Sequence, residues 1–583
     1  MSVSPGPSPR IASMDQFRGY TVAGMFVVNF LSSFAVIHPV LKHNNTYFSY
    51  ADSIMPSFLF AVGFSFRLTY LRRIQQAGYW PTVWTYVRRS LALVVVSLVM
   101  YGFGSDFGGW NQFSQMPSEF ESFRPKPLRT HSFIELISQA RKANPKADER
   151  ALVALASTIG SSIAEPQSQP AEDAPRVAQA RSAASIVDRE GADLVGPSVR
   201  RIQDWNALSP NQRLLVHLQI AAGKLLKQDL WETLAIIGVT QLVVLPFIGR
   251  GFGARFLALV VLGAAHLLLS YWFNWDFVYG IHDNWLSKLC MTGHDRSWDG
   301  GFFGPLCWAV AMLAGTLAFD LVIGARTRAA GAVRLIIWGI AFMVVGYGMS
   351  CLTRLSELSG PELEARRVRT IRQQAEQNWL GLLKQREQSR LARARARSQT
   401  ESGPEIDAIQ AKIQVLDDQQ QAYPSLELAE SPVLPRWDRL KGRTWRELLV
   451  EPPFVAPPRD DPQTDPPPSI DHRLQNYWML GKRMPNLSFI TFASGFAFAL
   501  YGLFVIACDL GGVSVGIFRT FGTNALAAYF LHHVIEEQIA GKESSLVPHD
   551  SPLWYCLCGF ALFFGLTYAC VRYLEKQKIY VKL

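Results

Sequence analysis

Charged residues are scarce over most of the chain. Only 18% of the 583 residues are Asp, Glu, Lys or Arg, whereas 49% are hydrophobic. Two blocks hold most of the charges, and long stretches hold almost none. Several of these stretches are too long and too apolar for the buried helices of a soluble domain. The composition therefore excludes an ordinary soluble enzyme and predicts a membrane protein.

Cysteine is also scarce. Six of the seven cysteines lie in the apolar stretches and Cys290 lies in a short loop between two of them, so the two long polar inserts, residues 105–229 and 353–486, have none. The inserts are therefore not disulfide frameworks of the kind found in small secreted domains. Cys556 and Cys558 lie inside an apolar stretch and lack metal-ligand spacing, so no metal site is predicted.

Ten apolar stretches have about the length of a transmembrane helix. A helix rises about 1.5 Å per residue, so about 20 apolar residues cross the hydrocarbon core. In lipid they must be helical, because no water is present to satisfy free backbone groups. The predicted spans are residues 19–38, 51–71, 86–104, 231–249, 254–273, 302–324, 330–352, 487–510, 516–535 and 552–574. We therefore predict an all-α polytopic membrane protein with about ten transmembrane helices.

Basic residues in short loops predict the orientation. If the ten spans alternate, one side collects the arginines and lysines of the short loops and of the C-terminal tail. They are Arg72, Arg73, Arg88, Arg89, Arg250, Arg255, Arg326, Arg328, Arg334, Arg519, Arg572, Lys576, Lys578 and Lys582. That side is predicted to be cytoplasmic, with both termini on it. The net charge of +10 follows from this bias, so no nucleic-acid partner is predicted.

The start of the chain predicts an anchor in a bacterial inner membrane. Arg10, Asp15 and Arg18 precede the first span, but no small-residue cleavage pattern follows it, so the span is not a cleavable signal peptide. The short basic N-terminus without a targeting signal suits the bacterial inner (plasma) membrane. The lipid bilayer is thus one predicted partner, and a homodimer is left open.

Two long inserts divide the spans into three groups. Residues 1–104 hold spans 1–3, residues 230–352 hold spans 4–7, and residues 487–583 hold spans 8–10. The inserts, residues 105–229 and 353–486, fall on the extracytoplasmic side and are predicted to be mainly helical or irregular. Neither has a recognisable catalytic motif, which favours a docking or lid module.

Each insert has predicted elements of its own. In the first insert, Ser132–Ala143 and Ala147–Ser157 are predicted helices, and Glu165–Ala174 is a predicted linker. In the second insert, helices from Pro361 to about Ser398 and from about Glu405 to Gln421 are predicted to form a hairpin. Its leucines Leu380, Leu382 and Leu383 would face Ile406, Ile409, Ile413 and Leu416. The Pro-rich run from Glu451 to Pro468 is predicted to lie as an extended strap.

Polar residues at membrane depth indicate where function lies, because they are costly there. The predicted topology gathers His43, Asp52, Asp299 and His532 at one membrane face. Asn29 lies midway along the first span, and Asn524 and His532 share one helix face because they are eight residues apart. The other membrane face collects arginines that suit a polyanionic ligand, namely Arg18, Arg72, Arg88, Arg89 and Arg519. Histidines at one mouth and arginines at the other predict a pathway through the bundle.

Several short motifs resemble those of a known family. They are Ser13–Gly19, Lys42-His43, Tyr50-Ala51-Asp52, Pro56–Phe60 with Gly63, Asp299-Gly300-Gly301, Pro485–Phe489, and Gly522-Thr523-Asn524 with Tyr529 and His532. Together they resemble heparan-α-glucosaminide N-acetyltransferase-like transmembrane acyltransferases. The resemblance covers the membrane spans and leaves both inserts unexplained.

The resemblance implies an enzyme that transfers an acetyl group from cytosolic acetyl-CoA to an amino sugar or glycan on the extracytoplasmic side. His43 matches the catalytic histidine of the family, Asn29 and His532 match other residues of the reaction site, and Asp52 matches a nearby acidic residue. The cytoplasmic arginines, with Asn524, would bind coenzyme A. His43 could act as a general base or as an acyl carrier, and both routes stay open.

Each assignment has a structural alternative. His43 could be only an interfacial loop histidine, and Asp52 could cap the second span. Asn29 and His532 could join neighbouring helices, and the arginines could serve topology first and contact a ligand only in part. Two other functions also remain open. One is an O-acyltransferase of cell-envelope polysaccharide, and the other is a glycan or lipid transporter without acyl transfer.

Overall fold

The computed structural model describes residues 11–102, 110–117, 203–280, 285–290, 296–358, 360–398, 403–421, 432–455, 474–541 and 546–581, with a few isolated residues between 120 and 151. The chain is all-helical, with 78% helix and no strand among the described residues. This confirms the all-α part of the predicted fold class.

Fourteen helices define the described part of the chain. They are α1 (Ala12–Ser32), α2 (Tyr50–Ala77), α3 (Tyr79–Ser97), α4 (Pro210–Lys227), α5 (Thr233–Ile248), α6 (Phe252–Leu269), α7 (Gly304–Ile323), α8 (Arg328–Ser350), α9 (Gly360–Ser398), α10 (Pro404–Gln421), α11 (Leu487–Phe504), α12 (Gly516–Thr523), α13 (Ala525–Ala540) and α14 (Leu553–Lys576). The shorter helices Trp275–Tyr279 and Trp285–Cys290 supplement them, and π-helical turns over Leu98–Gly102, Ser270–Asn274 and Val505–Leu510 extend α3, α6 and α11.

Seven described helices are long and apolar enough to cross a membrane. The count becomes eight if α4 and α5, which meet at a 77° bend, form one span. The predicted number of about ten is not confirmed. The first predicted span, 19–38, is instead α1, which begins at Ala12, includes Asp15 and Arg18, and ends at Ser32. The ninth predicted span, 516–535, is divided at Asn524 into the two helices α12 and α13.

The helix α7 lies at the centre of the bundle. All of its residues from 307 to 319 are buried. A Cβ added to Gly315 of α7 would lie 1.9 Å from the carbonyl oxygen of Phe60, and one added to Gly63 of α2 would lie 1.9 Å from that of Met312. The two backbones therefore touch, which only small residues allow at a helix–helix contact in a membrane. This contact holds α2 firmly in the bundle.

The helices of the second insert pack against each other. Leu380 and Leu383 of α9 form an apolar cluster with Leu416 of α10. Lys412 also pairs with the buried Glu387 at 3.0 Å. Most of the predicted Pro-rich strap lies outside the described residues. So do most of the two helices and the whole linker that the sequence predicts for the first insert.

The chain leaves the second insert along residues 474–486, here called the return segment. It lies against the loop between α1 and α2. The backbone N–H of Lys482 donates to the carbonyl of Asn44 at 3.4 Å, and that of Arg483 donates to the Asn45 side chain at 3.1 Å. Asn486 then caps α11 by accepting from the Phe489 N–H. The return segment therefore covers the loop in which His43 lies.

Candidate active site

The first turn of α2 positions His43. Ser49 and Asp52 form a reciprocal capping box at the start of this helix. Asp52 is fully buried, and its Oδ2 also accepts the backbone N–H of Asn44 at 3.2 Å. Its other oxygen, Oδ1, lies 2.9 Å from Nδ1 of His43. Asp52 thus both caps α2 and holds the imidazole, so the two interpretations of this residue are compatible.

The return segment supplies a lysine on the other side of the ring. Lys482 Nζ lies 3.4 Å from Nε2 of His43 and 3.8 Å from Oδ1 of Asp299. Sequence reasoning missed Lys482. A signal was available, because Lys482 and Arg483 are basic residues on the predicted extracytoplasmic side, against the usual bias of basic residues to the cytoplasm.

A tight turn places Asp299 beside Lys482. Asp299, Gly300 and Gly301 have φ values of 42°, 90° and 59°, which lie in the left-handed region. The Asp299 carbonyl accepts the indole N–H of Trp308 at 2.9 Å, and the Gly300 carbonyl accepts from Asn274 at 2.9 Å. A Cβ on Gly300 would also meet Pro485 of the return segment at 2.8 Å. The Asp-Gly-Gly motif is thus explained by backbone shape.

The surroundings of His43 keep its imidazole neutral. Burial lowers the pKa of His43, the positive charge of Lys482 lowers it further, and the hydrogen bond to Asp52 opposes both. The side chain still keeps 39% of its surface exposed. A carboxylate only accepts hydrogen bonds and an ammonium only donates them, so Nδ1 carries the proton and Nε2 carries the lone pair.

Asn29 and His532 meet across the bundle. Asn29 Nδ2 lies 3.4 Å from Nε2 of His532, and Nδ1 of His532 lies 2.5 Å from the carbonyl oxygen of Tyr529. Because a carbonyl accepts, Nδ1 donates to it and Nε2 accepts from the Asn29 amide. His532 is buried and stacks on Phe26 at 4.6 Å between ring centroids. Asn29 therefore lies in a fixed orientation.

One cavity of about 570 Å³ connects these residues with arginines. His43, Lys482 and Asn29 line it, and so do Arg18, Arg73 and Arg89. Asp52, beside His43, and Arg73 lie near opposite ends of α2. At 1.5 Å per residue they are roughly 30 Å apart along the helix, about the thickness of the hydrocarbon core. The predicted pathway through the bundle thus has a counterpart in this cavity.

The far end of the cavity is basic and aromatic. Arg73 and Arg89 each lie within 6 Å of the ring of Tyr86, at 5.8 and 5.9 Å from its centroid. Within the residues that the structure describes, neither guanidinium has a carboxylate partner. Arg18 donates to the Gly522 carbonyl and to Asp15. This end can therefore attract an anion, with two cations not neutralised by described carboxylates.

Four predicted ligand-binding residues do not line the cavity. Arg72, Arg88 and Arg519 are exposed outside the cavity. The residues that follow the first two in the chain, Arg73 and Arg89, do line it. The side chain of Asn524 is buried and binds the C-terminal tail: its Nδ2 donates to the Ile579 carbonyl at 3.0 Å and its Oδ1 accepts from the Val581 N–H at 3.1 Å. The neighbours of Asn524, Thr523 and Ala525, do line the cavity.

A protein-family comparison agrees with the resemblance seen in the sequence. Residues 10–104 match the family described as heparan-alpha-glucosaminide N-acetyltransferase, catalytic. The matched region includes Asn29, His43, Asp52, Arg73 and Arg89. The resemblance to this family is therefore confirmed, and it points to a transmembrane acyltransferase type of enzyme. None of the curated proteins compared with the chain matches it.

Proposed function

We propose that the protein transfers an acetyl group from acetyl-CoA to an amino sugar or glycan on the opposite side of the membrane. One observation carries the proposal: a single cavity joins His43 at one end to Arg73 and Arg89 at the other, two guanidinium groups without a carboxylate partner among the described residues. The family match of residues 10–104 supports the reaction type.

The donor would bind from the arginine end. Arg73 and Arg89, with Arg18, suit the phosphates of coenzyme A, since guanidinium groups form strong charge-assisted hydrogen bonds with phosphate oxygens. The pantetheine arm would then follow the cavity toward His43. In this proposal the arginine end faces the cytoplasm, both termini lie on that side, and the membrane is the bacterial inner membrane.

His43 can act as a general base. Its Nε2 would accept the proton that an acceptor amine or hydroxyl loses as it attacks the thioester carbon. The C–S bond then breaks, and the coenzyme A thiolate takes up a proton. Asn29 Nδ2 is one donor on the cavity wall that can stabilise the developing oxyanion.

His43 can alternatively act as a nucleophile. Its Nε2 would attack the thioester carbon and displace the thiolate, forming an acetyl-imidazole that the acceptor then discharges. Asp52 serves both routes, because its bond to Nδ1 fixes the ring and stabilises positive charge that develops on it.

The test is a transfer assay with the purified full chain in liposomes. Labelled acetyl-CoA is the donor and glucosamine the acceptor, and the wild type is compared with His43→Ala. We expect the label to reach the sugar only in the wild type, with a loss of about 10²-fold or more in the variant. Label on His43 without acceptor would identify the nucleophilic route. His38→Ala, a change at an exposed histidine at the start of the Pro39–Leu41 turn, is the matched control. Equal transfer by the His43→Ala variant would refute the proposal.

Two other functions are tested by the same preparation. The 77° bend between α4 and α5 is a broken helix of the kind that transporters use at their binding sites, and Thr233 beside the bend lines the cavity. Flux of a glycan or lipid precursor that needs no acetyl-CoA would support a transporter. Label that reaches hydroxyl groups of a polysaccharide but not glucosamine would support an O-acyltransferase.

A further inference from the structure

Lys482 lies beside the atom of His43 that reacts in the proposed function. Its ammonium lies 3.4 Å from Nε2 of His43, the nitrogen that either route uses. It comes from the return segment, 439 residues after His43 in the chain. The side chain is only 20% exposed and lines the cavity. An ammonium at this place affects both the orientation and the protonation of the imidazole.

Resting on the proposed function, we propose that Lys482 is a positioning residue for His43. It donates to Nε2 while Asp52 accepts from Nδ1, so the ring is held from both sides in one tautomer. A proton on Nε2 would point at the ammonium and be repelled by it. Lys482 therefore keeps the reacting nitrogen unprotonated until substrate enters.

Asp299 is a second partner for the Lys482 ammonium. Its Oδ1 lies 3.8 Å from Lys482 Nζ, so Lys482 can leave Nε2 without losing a nearby negative charge. The left-handed turn at Asp299-Gly300-Gly301 and the contact of Gly300 with Pro485 fix this carboxylate against the return segment. An incoming acceptor can thus reach Nε2 while Lys482 moves toward Asp299.

The charged groups around the ring belong to three separate elements. Asp52 faces His43 from α2, Lys482 from the return segment and Asp299 from the turn before α7. Glu232, between α4 and α5, lies close enough to interact with both Lys482 and Asp299. Of these groups, only Lys482 disfavours the protonated imidazole.

The test measures the protonation of His43 without relying on transfer. Diethyl pyrocarbonate reacts with the neutral imidazole, so its rate at His43, followed by peptide mass spectrometry against pH, gives a titration midpoint. The full chain in liposomes is used throughout. In Lys482→Met we expect the midpoint to rise by about one pH unit, the lower end of what a neighbouring charge produces. Lys482→Arg keeps the charge and should keep the wild-type midpoint.

Arg483→Met is the matched control. It removes a positive charge from the next residue, whose guanidinium stacks on Trp298 at 5.1 Å and does not contact His43. Its midpoint should equal that of the wild type. Asp299→Asn should lower the midpoint, because Lys482 loses its alternative partner. This second variant keeps the test valid if Lys482→Met does not fold.

The outcomes separate this inference from the proposed function. Equal midpoints in the wild type and Lys482→Met would overturn it, and so would a rise in Arg483→Met as large as in Lys482→Met, or a rise in Asp299→Asn. A chain that shows the expected midpoints but transfers no acetyl group would retain the positioning role and lose the proposed reaction. In an active chain, Lys482→Met should lower kcat and leave the KM for acetyl-CoA unchanged, since the arginine end is intact.

Discussion

The two ends of the cavity differ in whether their charged side chains have close partners. At the histidine end, each charged side chain has a close partner: Asp52 accepts from the neutral His43, and Lys482 lies beside both His43 and Asp299. At the arginine end, Arg73 and Arg89 flank Tyr86 and have no carboxylate partner among the described residues. Paired charges hold one group in a defined geometry, whereas unneutralised charges attract a mobile anion. This difference fits the proposed function, with chemistry at the first end and ligand capture at the second.

The largest expected loss of activity in this comparison comes from substitution of Asp52. This residue both caps α2 and holds His43, and two different substitutions can separate these roles. Asp52→Asn keeps an oxygen for the capping box but no longer provides a full negative charge to Nδ1. We expect acetyl transfer to fall about 100-fold, within the usual range for a positioned base, while the thermal unfolding temperature changes little. The measurement is kcat alongside a thermal unfolding curve, with the exposed Asp550→Asn as control.

Asp52→Ala removes both tasks. It leaves the Asn44 and Ser49 N–H groups without their carboxylate acceptor, so the free energy of unfolding should fall by roughly 1–3 kcal/mol in addition to the lost activity. Full activity in Asp52→Asn would show that Asp52 only caps α2.

The arginine end offers an effect of intermediate size. Arg73→Ala and Arg89→Ala should each raise the KM for acetyl-CoA about tenfold, since a hydrogen bond to a charged group contributes about 1.5–3 kcal/mol. The value of kcat should change little. Arg72→Ala and Arg88→Ala are matched controls, because each removes the same charge one residue earlier on an exposed face. A KM that rises equally in all four variants would show that only the net charge of this side matters.

The arginines illustrate what the sequence could and could not predict. The apolar runs predicted most helices, and short motifs led to His43 and Asp52 because both lie in one local stretch. The sequence patterns could not decide whether Arg72 or Arg73 lines the cavity. Successive helical residues point about 100° apart, and α2 is buried and apolar on several sides, so no polar face reveals its rotation. Only the packing of α2 in the bundle makes that choice.

Lys482 illustrates a second limit. Its contact with His43 joins a residue before the first insert to one near the end of the second, 439 positions apart, and no local pattern specifies such a long-range contact. Its prediction would have required the path of the return segment over the α1–α2 loop. The division at Asn524 was also hidden, because residues 516–535 are apolar enough to resemble one span. Asn524 instead binds the C-terminal tail, a tertiary contact.

The smallest expected effect is the dependence of the wild-type activity on pH, and it tests whether the histidine end is organised as described. His43 has a pKa below its ordinary value of about 6.5, because burial and Lys482 both disfavour the imidazolium. The neutral form therefore predominates at and above pH 6.5, and activity should fall as the pH drops through the lowered value. We expect kcat/KM to be nearly flat from about pH 6.5 to 8, with its acid limb below 6.5. The profile is measured under subsaturating acetyl-CoA, with Arg73→Ala as control, since a change at the arginine end should lower the curve without moving the limb. An acid limb at or above pH 6.5 would contradict this description, because it would mean that Asp52 outweighs burial and Lys482 in setting the pKa of His43.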